Sequence, residues 1–137
     1  MDAMELLRTR ESASKLAAPG PSDAELDQIL ACAGRAPDHG KLRPWRFVIV
    51  EADKRAAFGE VLAASMRRKM PDASGDALDR ERAKAMRAPT IVVVAAHVAK
   101  GHRIPEIEQI AAASAAAQTI MLAASTRRSG RAEPSGL

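Results

Sequence analysis

The chain has 137 residues, 47% hydrophobic and 28% charged, which is the composition of a folded soluble protein and the length of one domain, and it excludes disorder as the general state. Lys and Arg number 21 against 17 Asp and Glu, a net charge of +4 that suits an anionic small ligand or nucleic acid. The lone Cys32 excludes an internal disulfide and a multi-cysteine zinc site and fits a reducing cytoplasm. Aromatic residues are 2% of the chain, so the core must be built from Ala, Leu, Ile, Val and Met. The amino terminus, MDAMELLRTR, is acidic and amphipathic where a signal peptide would be basic and then apolar, and every long apolar run is expected to be interrupted by charges before it reaches the length of a membrane span.

The first helix is predicted to start after the N-cap Asp2, to run through Met4, Leu6 and Leu7 to Arg10 and to end near Ser12. A turn-rich Ala18-Pro19-Gly20-Pro21 follows. Ser22-Asp23-Ala24-Glu25 then spells a capping box, and Leu26, Ile29, Leu30 and Ala33 recur at the spacing of one buried helical face, with Cys32 expected as a small core residue. After a loop, Phe47-Val48-Ile49-Val50 reads as a short buried strand. A helix over about 52–69 carries Phe58, Val61, Leu62 and Met66 on one side and ends in Arg67-Arg68-Lys69, where cations suit the helix dipole better than they define a binding patch. Residues 76–86 predict a charged surface helix. Thr90 to Ala96 is a continuous β-branched run, expected to be a strand buried on both faces. From about Pro105 a long alanine-rich helix places Ile107, Ile110, Ala111, Ser114, Gln118, Met121 and Leu122 on one stripe, small enough in parts for another helix to approach closely.

The loop APDHGKLRPW, residues 36–45, is too rich in cations for a plain connection, and loops carry function more often than the elements they join. Three pieces are decisive in their order and spacing: Arg10-Glu11-Ser12 after the first helix, Arg35-Ala36-Pro37-Asp38-His39, and Pro44-Trp45-Arg46-Phe47 leading into a strand. With Ile104-Pro105-Glu106-Ile107-Glu108-Gln109 opening the long helix, they make the chain from Met1 to about Ala124 resemble the flavin-dependent nitroreductase family, in particular its small single-domain NAD(P)H nitroreductase branch.

The resemblance implies an α+β fold of helices around a mostly antiparallel sheet and an FMN-dependent oxidoreductase. Such an enzyme takes electrons from NAD(P)H and gives them to a nitroaromatic, quinone or related small acceptor. It implies a homodimer with FMN at the subunit interface. Arg10, Glu11 and Ser12 would lie at the FMN phosphate region, where the family usually has Arg-Arg-Ser, and Arg35 and His39 would reach the flavin of the opposite subunit. Larger relatives carry Ser-x-x-Asn-x-Gln-Pro-Trp in the loop where this chain has Arg43 before Pro44. Taken without the neighbouring pieces, Arg10 and Ser12 read only as an exposed arginine and a helix-ending serine. Trp45 and Phe47 read as core and loop anchors. No residue is expected to do acid–base or nucleophilic catalysis, since the cofactor carries the redox chemistry. His97 and His102 lack the spacing of metal ligands, and no metal is expected. Neither a ribose-binding acid nor a 2′-phosphate arginine is identifiable to choose between NADH and NADPH.

After Ala124 the family pattern stops. Residues 125–137, STRRSGRAEPSGL, have no apolar period and are expected to be a disordered, non-family tail on a partial domain of residues 1–124, as a truncated or frameshifted member would have. Such a chain could keep the fold without the activity. The positive charge also admits a basic nucleic-acid-binding module, but acids are interspersed with the cations, no strand offers exposed aromatics for stacking, and no helix-turn-helix or finger pattern is present.

Overall fold

The structure, a computed structural model, describes residues 2–129. In chain order the elements are α1 (Ala3–Thr9), α2 (Asp23–Ala33), a 3₁₀ turn (His39–Lys41), β1 (Trp45–Val50), a second 3₁₀ turn (Ala52–Lys54), α3 (Arg55–Lys69), α4 (Gly75–Lys84), β2 (Ile91–Ala96) and α5 (Glu106–Ser129). The two strands pair antiparallel in a two-stranded sheet, and the His97 N–H donates to the Pro44 carbonyl at 2.8 Å beyond one end of it. The chain divides into two compact units. The first holds residues 2–12, 22–46 and 94–129 of those described, the second residues 13–21 and 47–93.

The first unit is organised by α5, against which α1, α2 and the His39–Lys41 turn all pack. Local chemistry starts its helices where the sequence says. Asp2 accepts from the Glu5 N–H at 2.9 Å, and Ser22 and Glu25 form the full capping box: Ser22 Oγ accepts from the Glu25 N–H while Glu25 Oε2 accepts from the Ser22 N–H at 2.9 Å. Ile29 and Ala33 are buried on α2, which packs against α5, and Ala112, Ala113, Ala116 and Ile120 are buried on α5; Ala36, Trp45 and Ile104 are buried in the same unit. Alanine at three of those positions lets the two helix backbones come close. Cys32, expected inside, is exposed, because it falls beside the Ile29–Ala33 line rather than on it.

The buried face of α5 is the opposite of the predicted apolar stripe. Ile107 is 71% exposed, Ile110 and Met121 each 44%, Ala111, Ser114 and Gln118 are exposed with them, and of the predicted stripe Leu122 alone is half-buried. The helix continues through Ser129, so the first residues of the expected tail are helical; residues 130–137 lie outside the described part. Residues 109–126 carry no charge, contrary to the expectation that every long apolar run is interrupted. By length and composition the segment Glu106–Thr126 is apolar enough to cross a membrane, with a mean hydropathy of 1.2, and here it is the helix on which the first unit is built.

In the second unit α3 packs on α4. The predicted apolar side of α3 is shifted: the small residues Gly59 and Ala63 are buried, Phe58, Leu62 and Met66 are half-buried, and Val61 is exposed. The helix is entered through the 3₁₀ turn, so the α-helix proper begins at Arg55 rather than Ala52. Ser74 caps α4 by accepting from the Ala77 N–H at 3.2 Å. The Arg55 guanidinium donates to the Ala88 carbonyl at 2.9 Å, and the Leu16 N–H donates to the Arg87 carbonyl at 2.7 Å, which ties residues 13–21 to the segment before β2. Residues 91–94 of β2 are half-buried and Ala95 and Ala96 exposed, not enclosed on both faces as the β-branched run suggested, because β1 is the one strand paired with it among the described residues.

Candidate functional site

All five residues singled out from the sequence belong to the first unit. Arg10 is the C-cap of α1: its N–H donates to the Leu6 carbonyl at 3.0 Å, which ends the helix and turns the chain outward. Its guanidinium then reaches two residues ahead, and Nη1 donates to Ser12 Oγ at 2.9 Å. A planar cationic fork and a hydroxyl therefore stand side by side at an accessible helix end. Glu11, between them, is exposed, and among the described residues no hydrogen bond or ion pair engages its side chain.

Arg35 follows the end of α2, where its N–H donates to the Cys32 carbonyl at 3.0 Å. Its side chain is exposed and has no hydrogen bond or ion pair among the described residues. The loop after it is held in an uncommon backbone form. Gly40, Lys41 and Arg43 have φ of +72°, +54° and +49°, and left-handed conformations at two non-glycine residues cost energy that neighbouring contacts must offset. Asp38 supplies part of that offset: its Oδ2 accepts from the Arg43 N–H at 2.6 Å and its carbonyl from the Lys41 N–H at 3.3 Å. Opposite, His39 Nδ1 stands 2.6 Å from Oε2 of Glu108 in the first turn of α5. That contact is a hydrogen bond with the proton on Nδ1 and an ion pair when the ring is charged. Both side chains remain largely open to solvent.

The structure thus joins Arg10 to Ser12 and His39 to Glu108, and among the described residues no hydrogen bond links the first pair to Arg35 or the second pair. Asp38, Glu108 and Gln109 were not singled out from the sequence. Asp38 sits in the loop itself, and Glu108 and Gln109 lie within the stretch at the start of α5, but only the fold shows what they hold. Gln109, the one buried polar residue among those described, is 2% exposed and hydrogen-bonds the backbone of the turn before α5. No group of three His, Cys, Asp or Glu among the described residues is placed to hold a metal ion. The donor set is instead guanidinium, hydroxyl and imidazole groups on short loops around α5, a set suited to phosphate and to an electron-rich ring.

The sequence model of the Nitroreductase family matches residues 7–130. The chain belongs to that family. It is 39% identical over 125 residues to the Escherichia coli K12 protein named "Putative NAD(P)H nitroreductase YdjA", an alignment covering 90% of this chain and 67% of that one. The nitroreductase-like protein of Bacillus cereus superposes with a TM-score of 0.72 at 21% identity, covering 93% of this chain and 66% of its own. A nitroreductase of Desulfitobacterium hafniense, solved with bound FMN, gives 0.65 at 21% identity, covering 90% and 64%. The nitroreductase fold expected from the sequence is the fold observed, and the chain spans about two thirds of the length of these relatives.

Proposed function

We propose that this chain is an FMN-dependent oxidoreductase that passes electrons from NAD(P)H to a nitroaromatic, quinone or related small acceptor, as a homodimer in the cytoplasm. The observation that carries the reading is the Arg10–Ser12 pair at 2.9 Å on an exposed helix end, in the segment where the family holds a phosphate. The names of the relatives, an NAD(P)H nitroreductase and a nitroreductase with bound FMN, support the cofactor and the electron donor.

The residues present fit such a cofactor. Arg10 offers a guanidinium fork and Ser12 a hydroxyl to the phosphate, and each is now satisfied only by the other, so both can turn to an anion without leaving a buried group unpaired. Glu11, pointing at no partner, would lend its backbone alone. Arg35 and His39 supply positive charge toward the ring system of the partner copy's flavin, where reduction makes the ring electron-rich. Bound FMN would supply the hydride chemistry; the protein's share is to bind, to orient and to bias charge. Glu108 fixes the direction of the His39 ring. The exposed stripe of α5 supports the dimer: Ile107, Ala111, Ser114, Gln118 and Met121 are spaced alternately four and three residues apart, the seam of a helix pair.

Visible absorbance of the purified protein tests the proposal. Oxidised-flavin bands, with about one FMN released per chain on denaturation, are the expected result. A colourless protein that ignores added FMN would leave the family fold without this activity.

A further inference from the structure

Gln109 uses every hydrogen-bonding atom of its side chain on the turn between β2 and α5. Its Oε1 accepts from the Ala99 N–H at 2.8 Å, and its Nε2 donates to the Ala99 carbonyl at 3.1 Å and to the Ile104 carbonyl at 2.9 Å. It thereby pairs with Ala99 as a neighbouring strand would, and it fixes Ile104 from inside the unit. Ile104 is itself buried, and its Cδ1 lies so near the backbone of Gly40 that a Cβ there would have no room. Gly40 is the left-handed residue between His39 and Lys41. A line of direct contacts therefore runs from Gln109 through Ile104 to the turn that carries His39, while Glu108, the residue before Gln109, holds the His39 ring.

We infer that Gln109 is a positioning residue for His39: it sets where Ile104 stands, and Ile104 sets where the Gly40 turn presents the imidazole. The inference rests on the reading of His39 as a flavin-site residue. A buried amide with three satisfied hydrogen bonds cannot rotate without leaving the backbone of Ala99 or Ile104 unpaired, so the turn and the ends of the loop have one arrangement relative to α5. The loop needs that support because Lys41 and Arg43 hold left-handed backbone angles that do not persist unaided.

Two variants of the full chain test it. Gln109→Met keeps the volume and removes all three bonds; Ile104→Val removes only the methyl group that faces Gly40. Amide hydrogen exchange over residues 39–43 is expected to accelerate by about tenfold in both, with exchange in α3 and α4 unchanged as the control for global stability. The ring resonance of His39 is expected to shift, a change that a purely stabilising role for Gln109 would not produce in a folded variant. The FMN dissociation constant should rise by roughly tenfold with the Arg10 end of the site intact. Should Gln109→Met fail to fold, Ile104→Val decides. Wild-type exchange over 39–43 and an unmoved His39 ring in the folded variants would overturn the inference. Neither of these two readouts needs flavin, so a wild type that takes up no FMN would sink the flavin reading while they still judge the positioning.

Discussion

Gly59 of α3 and Arg82 of α4 meet more tightly than a side chain ordinarily allows: a Cβ on Gly59 would lie 3.0 Å from the Arg82 carbonyl oxygen and 3.4 Å from its Cα. The neighbour is backbone, which cannot swing aside as the end of a side chain can. From the same residue the Arg82 guanidinium reaches across to α3, Nε donating to Glu60 at 2.7 Å, while Nη1 donates to Asp79 of its own helix at 2.8 Å. The glycine lets the helices touch and the arginine ties them where they touch.

Gly59→Ala sets two effects against each other. Alanine in a helix interior gains about 0.8–1.0 kcal/mol over glycine. Forcing α3 from α4 costs about 1–3 kcal/mol, as overpacking does in a close-packed interior. Packing should win, with a net loss of about 1 kcal/mol and a lower midpoint of thermal unfolding. A raised midpoint would show that α4 yields freely at this contact.

The Arg82 clasp should be indifferent to pH through the neutral range. Its pKa is raised above the ordinary arginine value, first by the hydrogen bond to Glu60 and next by that to Asp79. A raised value means that the folded state holds the proton more tightly, so this stabilisation is fully present below the unfolded arginine pKa and is lost only as pH rises through the folded one, in strong alkali. The difference in unfolding midpoint between wild type and Arg82→Ala should therefore be flat from pH 6 to pH 9. It should shrink with added salt, because the partners are exposed.

Charging the outer stripe of α5 separates assembly from folding. Ile110→Glu places a carboxylate on a face that is already 44% exposed, so the chain should fold with little change in midpoint, yet sediment as a monomer if this face is the dimer seam. Ala116→Leu, on the buried face nearly two turns further along, should instead destabilise the fold by about 1–3 kcal/mol through overpacking against α2. A dimer that survives Ile110→Glu would move the proposed interface elsewhere.

The helix starts were legible because they are local: Asp2 and the Ser22–Glu25 box satisfy backbone donors within one turn, and nothing distant competes. The face of α5 was legible as a stripe but not as inside or outside. In a helix where alanine is the commonest residue and lies on every face, apolar periodicity is nearly flat, and packing against α2 selects the side of Ala112, Ala113 and Ala116, leaving the larger Ile107, Ile110 and Met121 outward. The five candidate residues were readable as a resemblance, but their partners were not. Glu108 is 69 positions from His39, and Ile104 meets Gly40 only once α5 is docked, so no spacing in the chain announces either contact. The left-handed angles at Lys41 and Arg43 were equally hidden, since neither residue type favours them.

The most discriminating prediction concerns Arg10 and His39 together. If Arg10 and Ser12 hold the FMN phosphate, Arg10→Ala removes a charge-assisted contact of about 1.5–3 kcal/mol and should weaken FMN roughly tenfold to a hundredfold, with the fold intact because the side chain bonds only to Ser12. His39→Ala should weaken it as well, leaving Glu108 exposed and hydrated rather than buried and unpaired. The two lesions differ in which subunit they strike. In a mixed dimer of one Arg10→Ala chain and one His39→Ala chain, a site that takes Arg10 from one subunit and His39 from the other has both lesions on one side and neither on the opposite side. FMN titration of such a dimer should therefore show half the sites at wild-type affinity and half strongly weakened. A site built within one chain would give each half a single lesion and no site at wild-type affinity, and that result would refute the shared arrangement.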